Sequence, residues 1–281
     1  MISFPNCKIN LGLNIIHKRT DGYHNIETVF YPIQLNDILE IIPNNVFCAI
    51  SEIKSNQLNI EFTSSGLFVE GNADNNLCVK AYWLLKKDFP TLPSVQIHLH
   101  KNIPIGAGLG GGSADAAFAL QLLNKKFNLH LSQEQLIVYA LQLGSDCPFF
   151  IYNQPCFASS RGEKLQPIHL QLSAYQFIIV NPAIHISTAW AFSQIKPKAP
   201  DQSIQNIIAM PIENWKHQLM NDFEEPVFKA YPEIEAIKNT LYNAGAVYAS
   251  MSGSGSTVYG IFKKDALPTI HFPEHYLHIR I

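Results

Sequence analysis

The 281-residue chain has a formal net charge of −2 and 47% hydrophobic residues. That length suits one large domain or two ordinary ones with a sizeable core, and the charge balance leaves no basic footprint for nucleic acid. No apolar run approaches the ~20 residues of a membrane helix; the opening MISFPNCKIN lacks a signal-peptide core; five cysteines without a C-x-x-C pair read as reduced thiols of a cytosolic protein, with no zinc site.

From Cys7 to Ile15, apolar residues alternate with Lys8, Asn10, Gly12 and Asn14. Period two predicts a half-buried strand with Lys8 and Asn10 on one polar face, where a charge is ordinarily solvated. Residues 75–88 predict a helix with Leu77, Ala81, Leu84 and Leu85 on one stripe and Pro90 beyond its end. Val95, Ile97 and Leu99 then alternate with Gln96, His98 and His100 as a strand. The two histidines read as an exposed pair, since no third ligand has matching spacing.

The run PIGAGLGGGSAD (104–115) follows, with a helix expected over 113–124. Ser132 and Gln135 form a capping box for the next helix, which Gly144 should close in the left-handed conformation. Phe177–Val180 reads as a short buried strand, and 194–214, rich in Pro, Gln, Ser and Lys, as a loop or connection. Pro232 starts a helix carrying Ile234, Ile237 and Leu241 that stops at Gly245. VYASMSGSGSTVYGIF reads as strand, glycine-serine turn, strand. The mixture of elements means α/β or α+β.

Gly106, Gly108, Gly110, Gly111 and Gly112 are a third of the chain's 15 glycines, placed where a helix begins. Glycine allows positive φ and close approach of a ligand to the backbone. A helix start adds unpaired N–H groups and a positive dipole end, which together bind phosphate. Gly106, Gly108 and Gly111 match G-x-G-x-x-G, but a second helix follows instead of a strand and no acid lies about 20 residues on. The P-loop fails as well, because Ser113-Ala114 stands where Lys-Ser or Lys-Thr should be. The cation could come from Lys101, upstream. LGSDCPFF supplies Asp146, after a helix C-terminus where an acid is disfavoured. It reads equally as a turn former and as a base with Lys8 as partner. Taken alone, Tyr23, His24 and Phe192 read as core or turn residues.

Several segments together resemble the GHMP kinases. Pro104 to Ala114, with Leu109 between the glycines, is similar to that family's central signature, and MSGSGSTVYGIF to its C-terminal glycine motif. KINLGLNIIHKRTDGYHNIETVF, GLGGGSADAA and LGSDCPFF are similar to the branch whose alcohol substrate carries a cytidine diphosphate. The resemblance implies an α+β protein of two domains: a ribosomal-protein-like α/β domain over residues 1–160 that binds ATP, and a ferredoxin-like α+β domain over 161–281 on the substrate side. It also implies a left-handed crossover around the phosphate loop. It makes Asp146 the base and Lys8 its lysine, with Asn10 and Thr188 on the substrate. Tyr23 and Phe192 would enclose the cytosine while His24 reads its edge. Asn76 and Lys101 would lie near the nucleotide, Gly106 to Ser113 would hold its phosphates, and Mg2+ would accompany ATP, with Ser113 as a candidate ligand. Another GHMP kinase acting on a different alcohol, or a nucleotide-binding module without catalysis, are the alternatives.

Overall fold

The computed structural model describes residues 1–44, 60–69, 71–265 and 268–281; Cys48 lies outside them. In chain order the elements are β1 (Ile2–Ser3), β2 (Asn6–Lys18), β3 (His24–Asn36), β4 (Ile38–Pro43), β5 (Ile60–Gly66), α1 (Leu77–Asp88), β6 (Val95–Lys101), α2 (Gly111–Lys126), α3 (Gln133–Leu143), α4 (Cys147–Tyr152), β7 (Cys156–Ser160), β8 (Lys164–Pro167), β9 (Tyr175–Asn181), α5 (Thr188–Gln194), α6 (Ile204–Ile208), α7 (Glu224–Ala230), α8 (Pro232–Asn243), β10 (Tyr248–Met251), β11 (Val258–Lys263) and β12 (Leu277–Arg280). They fall into two units that interleave along the sequence. No helix among the described residues is long and apolar enough to cross a membrane.

The first unit takes Met1–Cys7, Leu35–Ile105 and Gly111–Asn153. Its sheet runs β1-β4-β6-β5, with β5 parallel to β6 and the other pairs antiparallel. Alternation sets its faces: buried Leu39 and Ile41 stand opposite buried Leu99 and Ile97, while Glu40 stands opposite His98 on the other face. There Ser65 Oγ lies 2.9 Å from both His98 Nε2 and His100 Nδ1, and Thr63 Oγ1 lies 2.8 Å from His98 Nδ1. The histidine pair is therefore tied to hydroxyls.

The helix α2 packs against α1, α3 and α4. It starts at Gly111, two residues before the expected start, so the last two glycines of the run are helical. Its alanines and leucines are buried nearly all round, as packing on several sides requires. The capping box of α3 forms as read: Ser132 N–H donates to Gln135 Oε1 (2.8 Å) and Gln135 N–H to Ser132 Oγ (3.3 Å). Gly144 departs from expectation. Its φ of 169° is extended, not left-handed. Crowding suits glycine there instead, since a Cβ would lie 3.3 Å from Cys147 Sγ.

The second unit takes Lys8–Gln34, Gly106–Gly110 and Gln154–Ile281. Its sheets run β2-β3-β7-β8 and β10-β11-β9-β12. The helix α8 lies on β10 and β11 and buries Ile234, Ile237 and Leu241 in a core with Ile178, Val180 and Phe262. Two expectations change. The strand β2 is buried on both faces, because polar partners rather than water cover its Lys8 and Asn10, and Asn14 is buried with them. The stretch 194–214 is not plain loop: it holds α6 and the start of a 3₁₀ turn (Ile212–His217), with Ile204, Ile207, Ile208 and Ile212 buried and Trp215 buried just beyond. Helical spacing of isoleucines outweighs the turn-prone composition.

Candidate active site

Gly106, Gly108 and Gly110 have φ of 66°, 78° and 71°. Space at Gly108 is also closed: a Cβ would lie 2.0 Å from the Ser252 carbonyl oxygen. The second glycine motif causes that approach. Ser252 Oγ donates to Gly108 O (2.8 Å), and Thr257 N–H donates to Ala107 O (3.3 Å). Asn221 fixes the same motif by donating through Nδ2 to Met251 O (2.8 Å) and Gly253 O (2.9 Å). Gly112 is the opposite case. It is exposed in the first turn of α2, and a Cβ there would meet nothing nearer than Leu77 Cδ1 at 4.0 Å. The helix start therefore has bare backbone beside open space, the form an anion site takes at a helix N-terminus. Ser113 follows, half-buried, and hydrogen-bonds the Cys147 thiol.

Lys8 is 4% exposed. Its ammonium donates to Asn10 Oδ1 (2.6 Å), lies 3.4 Å from Gly108 O, and stands 4.8 Å from the centre of the Phe30 ring. A chain of donors orients Asn10: Thr28 Oγ1 donates to Gly12 O (2.5 Å), so its lone pairs accept from Asn10 Nδ2 (3.0 Å), which turns Oδ1 toward Lys8. The Asn10 backbone is held at both ends, its N–H by Ser252 Oγ (3.2 Å) and its carbonyl by the Tyr259 hydroxyl (2.7 Å). Leu109 O accepts the Lys8 N–H (2.9 Å). The predicted pair Lys8 and Asn10 is thus brought together with Gly108 and Leu109 in the second unit.

Asp146 belongs to the first unit. It is half-buried and occupies the N-cap position of α4 (φ −85°, ψ −17°), with Pro148 in the first turn. The disfavoured C-terminal setting read from the sequence is offset by this helix start, where a negative charge is favoured. Cys147, beside it, is no nucleophile, because burial pushes its thiol up to about 12.

Lys101 is 2% exposed and pairs with Asp37 and with Asp115 (2.7 Å). Its ammonium is enclosed by carboxylates and does not lie open to a ligand. Asn76 caps α1 by accepting the Cys78 N–H (2.9 Å). Pro104 is half-buried where the loop begins.

RTDGYH forms the turn between β2 and β3. Asp21 accepts from Arg19 Nε (3.0 Å) and from the Tyr23 N–H (3.1 Å), and the Arg19 hydrogen bond lowers its pKa. Tyr23 is 55% exposed, with the Arg161 guanidinium 4.9 Å from its ring centre. His24 stacks on Phe192, centroids 4.8 Å apart and planes 15° apart. Burial, then the charges of Lys18 and His17, lowers the His24 pKa and favours the neutral ring. A base between Tyr23 and Phe192 would take the place of one of these partners. Thr188 Oγ1 lies 3.1 Å from Ser254 Oγ, beside the second glycine motif.

Thr28, Asn221, Ser252, Asp37 and Asp115 take part in this arrangement without having been singled out in the sequence. Thr28, Asp115 and Ser252 lie inside the segments that carry the resemblance, whereas Asp37 and Asn221 had no signal.

Comparison with known proteins places the chain in a family. Residues 76–154 match the model of the GHMP kinases N-terminal domain, and residues 204–270 that of the GHMP kinases C-terminal domain. A protein of Bacteroides fragilis named 4-diphosphocytidyl-2-C-methyl-D-erythritol kinase is 54% identical over 265 residues, 94% of this chain and 93% of its own. One of the same name from Azobacteroides pseudotrichonymphae is 52% identical over 278 residues, 98% and 99% of the two chains. A crystal structure of 4-(cytidine 5'-diphospho)-2C-methyl-D-erythritol kinase is similar with a TM-score of 0.77 at 29% identity, covering 93% of this chain and 90% of that one. The chain belongs to the GHMP kinases, and the resemblance read from its motifs holds.

Proposed function

We propose that this protein transfers the γ-phosphoryl group of ATP to the tertiary 2-hydroxyl of 4-diphosphocytidyl-2-C-methyl-D-erythritol, in non-mevalonate isoprenoid precursor synthesis. The observation that carries the reading is the 52–54% identity, over almost the whole chain, to relatives bearing that kinase's name. The open backbone at Gly112 and the ordered Lys8–Asn10 pair support it.

The residues divide the work as follows. Amides at the start of α2 hold the phosphates. Asp146 accepts the hydroxyl proton. Lys8, aimed by Asn10, stabilises charge on the entering oxygen and the transferred phosphoryl. Tyr23, His24, Thr188 and Phe192 hold the cytidine end, with stacking worth about 1–3 kcal/mol per base. Among the described residues no group of three His, Cys, Asp or Glu could hold a metal ion. The donor set therefore fits a magnesium ion carried chiefly by the nucleotide's own oxygens, with the Ser113 hydroxyl at the helix start as a protein ligand. The ion supplies neutralisation of phosphate charge.

Incubation with ATP and the cytidine diphosphate alcohol, followed by mass analysis, should show one added phosphoryl group. Homoserine and mevalonate in its place should show none; the reverse pattern overturns the substrate assignment. Asp146→Asn should fold normally and lose about 10²–10⁴-fold in kcat. Turnover near that of the wild type removes Asp146 from the mechanism.

A further inference from the structure

The two ends of the glycine run are joined through one buried ammonium. Lys101 closes β6, three residues before Pro104. Its Nζ donates to Asp115 Oδ2 (2.7 Å), just inside α2, and to Asp37 Oδ2, in the turn between β3 and β4. Asp37 Oδ1 in turn accepts the backbone N–H groups of Asn102 (2.6 Å) and Ile103 (2.9 Å), and the Asp37 N–H donates to Pro5 O (2.9 Å). Three charged groups thus grip the chain as it enters the loop at 101–103 and as it leaves at 115.

The helix start packs closely on the same cluster. A Cβ on Gly111 would lie 2.8 Å from Ile103 Cγ2 and 3.4 Å from Lys101 Nζ. The first residue of α2 is therefore pressed against the end of β6, and only glycine lets it approach that far. The arrangement is costly as plain packing. All three side chains are buried, and Asp115 Oδ1 has no hydrogen-bond partner. Apolar side chains of similar volume would commonly stabilise such a site as well or better. What they could not supply is one fixed spacing between a strand end and a helix start.

We infer that Lys101 is a positioning residue: with Asp37 and Asp115 it sets the place and direction of the α2 start, and thereby of the amides that receive the nucleotide's phosphates. The inference rests on the ATP reading of that loop. Lys101 acts through the backbone it holds, since its own ammonium is enclosed.

The test compares wild-type protein with Asp115→Asn, which keeps an oxygen for Lys101 and leaves the Lys101–Asp37 pair intact, and with Lys101→Met. Three quantities are measured: ATP affinity by titration, the separate KM values for ATP and for the alcohol, and hydrogen exchange by peptide. Asp115→Asn should weaken ATP about 5-fold or more, as small misplacements of a binding group do. Its KM for the alcohol should stay within about 2-fold. Exchange should quicken over residues 102–115 and stay unchanged over 232–263. Lys101→Met should show a larger effect of the same kind; if it fails to fold, Asp115→Asn decides. Unchanged ATP affinity and loop exchange in Asp115→Asn overturn the inference. So does exchange that rises evenly over the whole chain with ATP KM unaltered, since that is a purely structural effect. A wild-type protein that binds no ATP overturns the nucleotide reading and this inference with it, whereas binding that the variants leave untouched overturns this inference alone.

Discussion

Lys8 and Lys101 are both almost fully buried, at 4% and 2% exposure, yet their surroundings differ in kind. Lys101 is gripped by the carboxylates of Asp37 and Asp115. Burial alone would lower its pKa, but the two negative charges outweigh that and raise it. Lys8 meets an amide oxygen, a carbonyl oxygen and a ring face. Asn10 and Phe30 orient its ammonium. The difference teaches that burial of a lysine says little about its role, while the way its ammonium is held says more. Lys101 ties two carboxylates and the backbone beside them into one cluster; the Lys8 ammonium is aimed by an amide oxygen and a ring face.

Exchanging the two roles by mutation is the strongest way to break the contrast. Lys101→Met leaves two buried carboxyl groups without their cation and should cost about 3–5 kcal/mol of stability, a large share of an ordinary folding margin. Lys8→Met leaves the buried Asn10 Oδ1 without this donor and should cost about 1–3 kcal/mol, less than Lys101→Met. Its turnover should fall about 10²–10³-fold through loss of charge stabilisation. Urea unfolding and steady-state kinetics on both variants check this. Equal stability losses would erase the distinction.

A pH series sharpens the contrast from the Lys101 side. Burial, assisted by Asp37 and opposed by Lys101, raises the Asp115 pKa to about 7 from its ordinary 3.8. Between those values the folded chain keeps a proton that the unfolded chain releases. The stability this contributes is full below the unfolded pKa and is lost as pH rises through the folded one. Wild-type stability should therefore fall relative to Asp115→Asn between pH 4 and 7, by up to about 1.4 kcal/mol per pH unit. Parallel curves for the two proteins would show that Asp115 is ionised throughout.

How much of this was legible in the sequence follows from how far apart the partners lie. The glycine run, the capping box and the α8 stripe are local patterns and appear in the fold where expected. Alternation in β2 correctly set Lys8 and Asn10 on one face. It could not show that the face is covered, because Thr28, Ser252 and Tyr259 arrive from distant segments. Lys101 read as an available cation for the same reason: nothing local ties residue 101 to residues 37 and 115. Asp146 looked misplaced only because the short helix after it was not foreseen. The spacing of Ile204, Ile207 and Ile208 was a helical signal, hidden by the prolines and serines around it.

The smallest effect tests the orientation of Lys8 at one remove. Thr28 touches neither proposed substrate. Its hydroxyl gives its proton to Gly12 O and receives the Asn10 amide, so Asn10 presents oxygen rather than nitrogen to the ammonium. In Thr28→Val the shape is kept and the acceptor is lost. A hydrogen bond of this kind is worth about 1 kcal/mol. Without it the Asn10 amide spends part of its time turned, with Nδ2 toward Lys8, and a cation facing a donor is repelled. Through the free-energy relation for rates, about 1 kcal/mol corresponds to a fall in kcat of roughly 5-fold, with KM for ATP unchanged. Thr28→Ser keeps the hydroxyl, loses only a methyl group and should retain turnover within about 2-fold of wild type. Equal turnover in the Val and Ser variants would mean that the hydroxyl does not orient Asn10, and that Asn10 does not aim Lys8 through it.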